Sequence, residues 1–350
     1  MECPITGRIY DMASTIRDVA KLANVSIATV SRVLNQDPVV SQKTIQRVQE
    51  AMLACNYVPN SYARNLKSNN AHTVGFLVSN ISNSYFTSMA KVIEDILLEH
   101  GFNLIICSTN EDPGQELSRL NYLQSIQAEG VILNTTNFNN QTVVELSKTM
   151  PIVLLERSIS GAEFRGDFIG SNNFAGIKLL TEHLLSNGHR KIALINCGKH
   201  VSTGRERFDG FWAAMAGVGI EINSSYPYVR DCDSFSIDNG FQSCRQLLNL
   251  PDPPTALIAT NNTLAIGALR YVSLNQISIP DKLSFMSYGN IENSDLFFVG
   301  LSHATLNPQF IGEKAANCIL SRIGNPSLPN REVTFEPALS VQSSVSPLLT

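Results

Sequence analysis

The side chains best placed for chemistry near the start of the chain are Ser26, Thr29, Ser31 and Arg32, with Ile27 and Ala28 among them and Asn35 closing the run. Hydroxyls and helix N-terminal amides hold phosphates, a guanidinium forks onto guanine, and small apolar groups meet thymine methyls. This is the composition a DNA major groove asks for. A helix that shows such a face must be apolar behind it, and Val30, Val33 and Leu34 recur at i, i+3 and i+4. Ser26 is its cap, and Asn24-Val25 makes the tight turn before it, since Asn tolerates the left-handed backbone of helix exits. A preceding helix begins at Thr15, with Asp18 three residues on as its capping partner and Ile16, Val19, Ala20, Leu22 and Ala23 as its apolar stripe. Thr15 and Ile16, at its start, are counted with the DNA-facing residues. A third helix is expected from Ser41 to Cys55, with Ile45, Val48, Met52 and Leu53 inward.

The run Val25-Ser26-x-x-Thr29-Val30-Ser31-Arg32-Val33-Leu34-Asn35 resembles the signature of the lactose-repressor (LacI/GalR) transcription regulators. Charge agrees locally. The whole chain has 26 Lys and Arg against 30 Asp and Glu, a net charge of -4, yet residues 12–72 hold seven basic and three acidic side chains. The remainder is acidic and unsuited to lie along DNA. After the third helix comes Pro59-Asn60-x-x-Ala63-Arg64-x-Leu66, short, polar and unable to offset helix nucleation alone. The resemblance implies that it folds into a hinge helix on operator DNA. There Asn60 marks the helix start, Ala63 allows close approach to the minor groove, and Leu66 wedges into the central base step.

With 43% hydrophobic and 16% charged residues the chain is globular. It has no run near the ~20 apolar residues of a membrane span, and its N-terminus lacks the apolar core of a signal peptide, so a cytoplasmic protein is expected. The seven cysteines are scattered with no Cys-x-x-Cys pair and the histidines lack ligand spacing, so no metal and no cofactor are expected.

From Thr73 onward buried strands alternate with helices. Strand candidates are 74–78, 103–107, 130–133, 152–155, 191–195, 256–259 and 283–286. Helical stretches are 86–100, 115–126, 175–187, 205–216, 239–248 and 263–275. Such alternation implies parallel sheets covered on both faces, with enough units for two, and a ligand cleft at the carboxyl ends of the strands. The expected fold is thus an all-α helix-turn-helix headpiece with a hinge helix, followed by an α/β two-lobed core with two mostly parallel sheets, which the resemblance makes periplasmic-binding-protein-like. The expected divisions are a disordered extension at 1–13, the headpiece at 14–59, the hinge helix and linker at 60–72, and an effector-binding and dimerisation core at 73–345. Within the core one lobe takes about 73–168 and 305–332, the other about 169–303 and 333–345.

Arg207, in Ser202-Thr-Gly-Arg-Glu-Arg-Phe-Asp-Gly-Phe211, matches the family arginine that reaches the ligand. Three positions that are acidic in family members are neutral here: Asn262, Gly289, and the Asn172-Asn173 pair. Keeping the arginine while losing the acids implies a small carbohydrate-type effector that is a sugar acid or sugar phosphate. Ser79, Tyr85, Phe86, Asn134 and Arg157 are expected in the cleft from one lobe. Tyr288, Asn290, Asn307 and Glu156 complete the expected set. An enzyme is the first rival, but the chain shows no Gly-x-Gly-x-x-Gly after a strand, no Gly-x-Ser-x-Gly elbow and no phosphate-binding Gly-Lys-Ser/Thr loop. A periplasmic sugar-binding module, the second, would carry no helix-turn-helix. The expected function is a non-enzymatic, sequence-specific repressor that binds a pseudo-palindromic operator in double-stranded DNA as a homodimer, away from membranes, and answers to an effector.

Overall fold

The computed structural model describes residues 14–34, 37–57, 72–159, 163–223 and 225–348. The chain divides into two units, Met1–Asn70 and Ala71–Thr350. In the first unit, α1 (Ile16–Leu22), α2 (Ile27–Leu34) and α3 (Gln42–Ala54) close on Val19, Ala20, Ala23, Val30, Val48 and Ala51. Asp18 Oδ2 accepts hydrogen bonds from the Thr15 N–H at 2.8 Å and the Thr15 hydroxyl at 2.7 Å, which fixes the entry to α1. Asn24 takes φ +51° at the turn, and Ser26 Oγ accepts from the Thr29 N–H at 3.1 Å to start α2. Two residues expected inside lie outside: Leu22 is 57% and Leu53 79% exposed. At roughly 100° per residue, Leu53 points about 140° away from buried Val48, and Leu22 falls beside the narrow Val19–Ala23 stripe of a short helix.

The second unit holds two six-stranded sheets. The first comprises β1 (Thr73–Val78), β2 (Asn103–Ser108), β3 (Gly130–Leu133), β4 (Ile152–Leu155), β5 (Asp167–Ser171) and β11 (Glu332–Phe335) in the order β11-β5-β4-β3-β1-β2, every pairing parallel. The second comprises β6 (Ile192–Cys197), β7 (Val229–Cys232), β8 (Ala256–Ala259), β9 (Ser284–Tyr288), β10 (Ser302–Thr305) and β12 (Ala338–Ser340) in the order β12-β10-β9-β8-β6-β7, with only β12 antiparallel. Both are therefore doubly wound sheets of the same order, whose ligand crevice lies at the carboxyl ends.

Helices cover both faces of each sheet. Over the first, α4 (Ser84–Glu99) and α11 (Pro308–Gly324) pack Met89, Ile93, Ile311 and Ile319 onto Val74, Phe76 and Val78, while α5 (Pro113–Ser125) and α6 (Asn140–Ser147) cover the other face through Leu120, Leu123 and Val143. Over the second, α7 (Asn173–Ser186) and α8 (Ser202–Ala216) supply Leu180, Leu184 and Phe211. Its opposite face meets α9 (Ile237–Leu248) and α10 (Asn262–Leu274) through Leu247 and Leu264. β1, with all six residues buried, reads as the continuous apolar run of a strand covered twice.

The sequence pattern misses β5, β7, β10, β11, β12, α6 and α11. These strands lack an unbroken buried run of the kind β1 has or are very short, as Glu332–Phe335 with its alternating exposed and half-buried positions, and α6 is short and rich in β-branched residues. The crossings between lobes also shift. β5 stays in the first sheet to Ser171 and β11 to Phe335, so the chain leaves that lobe after these residues rather than at 168 and 332. The reason is backbone pairing: Phe168, Ile169, Gly170 and Ser171 pair in register with Glu332–Phe335.

These distant segments are held together at one carboxylate. Asp167 is fully buried and receives Arg322 Nη2 at 2.6 Å, Arg331 Nη2 at 2.8 Å and the Arg331 N–H at 2.9 Å. Burial alone would raise its pKa, but the hydrogen bonds from the two guanidiniums outweigh it and hold the carboxyl below its ordinary value. Asp167→Asn keeps the shape and strands the buried Arg322 charge. Urea unfolding should register a loss of about 3–5 kcal/mol, and a loss under about 1 kcal/mol would show that the network is dispensable.

Candidate functional site

In the first unit the exposed side of α2 is the candidate DNA surface. Ile27 is 46% exposed, Ala28 is exposed, and Thr29 and Ser31 are half-buried. The hydroxyls of Ser26 and Thr29 lie 2.8 Å apart at the helix N-terminus, where backbone amides are also unpaired. Arg32 reaches outward with its side chain 62% exposed, and its Nε stands 3.9 Å from Asp37 Oδ2. Asp37 was not singled out from the sequence, because the pairing depends on the loop after α2. Thr15 and Ile16 serve α1 itself, the first as its cap partner to Asp18 and the second packed against the small core. Asn35, Asn60, Ala63 and Leu66 lie outside the described residues.

In the second unit a cavity of about 460 Å³ is built from the segments that follow successive strands. Ser79 and Asn80 follow β1, Asn134 follows β3, and Glu156 and Arg157 follow β4. From the other lobe come Arg207 on α8, Phe235 after β7, Asn261 and Asn262 after β8, and Tyr288 at the end of β9. All the expected cleft residues line it except Asn307, whose Oδ1 instead accepts from the Phe310 N–H at 2.9 Å and caps α11. Pro308 directly after Asn307 is the sequence signal for that cap.

The two cleft arginines are handled differently. Arg157 Nη1 and Nη2 each donate to Glu111 at 2.7 Å, and Nη1 also donates to the Thr135 carbonyl at 3.0 Å, so its charge is answered within the protein. Arg207, 8% exposed, donates through Nε to Asn173 Oδ1 at 2.8 Å and lies with its guanidinium 4.6 Å from the Tyr288 ring centre. Among the described residues its Nη atoms have no hydrogen-bond or ion-pair partner, which leaves them for a ligand. Asn173 passes the interaction on, donating to Glu206 at 3.0 Å. Burial raises the Glu206 pKa, partly offset by that hydrogen bond and by Arg207.

Tyr85 donates its phenol to Glu156 Oε1 at 2.5 Å, and the Ser171 hydroxyl donates to the same oxygen at 3.1 Å. Burial first, then the Glu156 charge, drives the Tyr85 pKa well above the ordinary tyrosine value, so the phenol stays protonated. Burial does the same for Tyr288. Among the described residues the Tyr288 hydroxyl and Asn134 Oδ1, buried in the cavity wall, have no partner, two polar atoms of the kind a ligand satisfies.

The neutral positions noted in the sequence have particular uses. Asn172 caps α7 by accepting from the Ala175 N–H and donates to both Glu336 oxygens at 3.0 and 3.1 Å. Gly289 adopts φ +92°, a backbone that disfavours any side chain. Asn262 directs its carboxamide to Asn83 across the cavity. Nor is the cavity without acid: Glu111, Glu156 and Glu292 line it beside Arg157 and Arg207. Glu111 and Phe235 were missed because they sit on loops without periodicity; Phe235 lies 5.7 and 6.0 Å from the two guanidiniums.

Among the described residues there is no cluster of three or more His, Cys, Asp or Glu able to hold a metal, and no helix long and apolar enough to cross a membrane. Residues 15–60 match the family model described as bacterial regulatory proteins, lacI family, and residues 71–338 match that of periplasmic binding proteins and sugar binding domain of LacI family. The ribose operon repressor of Escherichia coli (strain K12) is 30% identical over 335 residues, covering 95% of this chain and 99% of that protein. The HTH-type transcriptional repressor PurR of Mannheimia succiniciproducens is 29% identical over 334 residues, 95% of this chain and 98% of its own length. Among solved structures, a LacI-family regulator from Enterococcus faecium with bound ribose superposes with a TM-score of 0.69 at 27% identity, covering 79% of this chain and all of that one. A LacI-family regulator from Silicibacter pomeroyi gives 0.80 at 25% identity, covering 95% and 99%. The chain, from its helix-turn-helix to its two-lobed cavity, belongs to the LacI family of DNA-binding bacterial regulatory proteins.

Proposed function

We propose that this regulator represses transcription from a pseudo-palindromic operator as a homodimer in the bacterial cytoplasm, and that a small neutral sugar in the two-lobed cavity controls its operator affinity. The observation that carries the ligand reading is the polar inventory of the cavity wall. Among the described residues Asn134 Oδ1 is a buried acceptor without a partner, Arg207 offers its unpaired Nη donors, and the Tyr288 hydroxyl does either. Sugar hydroxyls both donate and accept, so they meet this set better than a carboxylate or phosphate group, which only accepts. The three lining carboxylates against two guanidiniums, one already neutralised by Glu111, move the reading from the sugar acid or phosphate expected from the sequence to an uncharged ligand. A ribose repressor and a ribose-bound structure among the relatives support the same class.

On the DNA side, Ile27 and Ala28 offer little hydrogen bonding, so Arg32 carries the direct base readout. Ser26, Thr29 and Ser31 meet phosphates, and Asn35 adds to that surface. Thr15 and Ile16 flank the backbone, and the segment with Asn60, Ala63 and Leu66 reads the operator centre. One headpiece binds weakly, and pairing two through the cores raises the effective concentration of the second. Leu296, Phe297 and Phe298 offer apolar surface for that pairing, Phe298 being fully exposed. A ligand that binds one arrangement of the lobes better than another then changes operator affinity, by roughly 1–3 kcal/mol of coupling.

Three measurements test this. In thermal-shift assays D-ribose should raise the melting temperature, and ribose 5-phosphate and gluconate should not; stabilisation by the anions alone would restore the charged-ligand reading. Arg32→Ala should weaken binding to an operator selected from random DNA by at least about tenfold while the melting curve holds, and unchanged affinity would remove Arg32 from base readout. Phe298→Asp should shift sedimentation toward monomer at micromolar protein, whereas an intact dimer would place the interface elsewhere.

A further inference from the structure

Asn83 precedes α4 in the first lobe and Asn262 opens α10 in the second, and their carboxamides pair reciprocally across the cavity. Asn83 Nδ2 donates to Asn262 Oδ1 at 3.2 Å, and Asn262 Nδ2 donates to Asn83 Oδ1 at 2.8 Å. The orientation of each amide is set by its own helix start. Asn83 Oδ1 also accepts from the Tyr85 N–H at 3.0 Å, so that end must be the oxygen. Asn262 Oδ1 also accepts from the Thr263 N–H at 3.0 Å, so its nitrogen must face Asn83. A carboxylate at 262 has no proton for Asn83 Oδ1 and would set two oxygens against each other.

We propose that the Asn83–Asn262 pair is a latch that holds the two lobes together, and that this latch, rather than a contact with ligand, is why position 262 is an amide. Both polar ends of Asn262 are engaged by protein, so its assignment as a direct effector contact gives way to a positioning role. The same lobes also touch where the Ser158 N–H donates to Ser202 Oγ at 3.0 Å and where the Phe138 and His200 rings lie 4.9 Å apart. Those contacts join the loops after β3 and β4 to the entry of α8, so the amide pair is the one that joins the starts of α4 and α10. The latch is independent of which ligand the cavity takes.

The pairing is reciprocal, so an aspartate at either position removes one donor and sets two oxygens against each other. Asn262→Asp removes the donor that Asn83 Oδ1 needs, although a carboxylate in the first turn of α10 suits that helix. Asn83→Asp keeps a good cap for α4 and still accepts from Asn262 Nδ2, but it loses the donation to Asn262 Oδ1. Hydrogen–deuterium exchange on the effector-free full-length chain should therefore show the 80–90 segment, in the opposite lobe from the mutation, exchanging about threefold faster or more in Asn262→Asp and Asn262→Ala, the scale of a net hydrogen bond. Asn83→Asp, which loses the longer bond of the pair, should loosen the 261–266 segment as well. Melting curves confirm that each variant is folded. An unchanged 80–90 segment in both position-262 variants, or an unchanged 261–266 segment in Asn83→Asp, would overturn the latch.

Discussion

The structure depends on a constraint of parallel sheets: every strand but β12 runs parallel, so the polar loops of each lobe gather at one end of its sheet. A strand covered by helices on both faces has no room for polar chemistry along its length, and the residues that follow it are the first free to carry any. Ser79, Asn134, Glu156 and Tyr288 all stand at or just past such a strand end. Because both sheets share one strand order, the two lobes contribute matching sets of loops, and one cavity is lined from both sides. Asp167, with Arg322 and Arg331, supports this by fastening β5, α11 and the approach to β11, the segments between which the chain crosses.

Within the cavity, electrostatics is organised by pairing rather than by net charge. Arg157 is closed off by a bidentate carboxylate, whereas Arg207 is aimed by a neutral amide that leaves its fork open. Asn173 does this because a carboxamide can accept from Arg207 and donate to Glu206 at once, which a carboxylate cannot. The same logic recurs at Asn83 and Asn262. Counting acids gained and lost along the sequence therefore misjudges the cavity, since an amide can stand for a bridge as readily as for a lost charge.

The headpiece was the most legible part. Its signals act over three or four residues: Asp18 meeting Thr15, Asn24 in the left-handed turn, Ser26 at the start of α2, and Val30 one turn before Val33 and Leu34. Even there, burial of Leu22 and Leu53 was misjudged, because in a three-helix core the apolar stripe of each helix is narrower than its apolar composition. The buried strands β1, β3, β4 and β8 were equally plain as unbroken apolar runs. Edge strands and crossings were not: β5 and β11 are defined by pairing with each other across more than 150 residues, and no local pattern records that partnership.

By itself the sequence determined the kind of molecule this is, a helix-turn-helix ahead of two doubly wound lobes, and it named most of the side chains that line the cavity. Caps, periodicity and runs of apolar residues are local, and so they are written in order along the chain. Only the tertiary structure decided what those side chains face. Asn307 turned out to be a cap, Asn262 a partner for Asn83, Glu111 the answer to Arg157, and Arg207 a donor left open, because each depends on a contact between residues that the chain brings together only by folding.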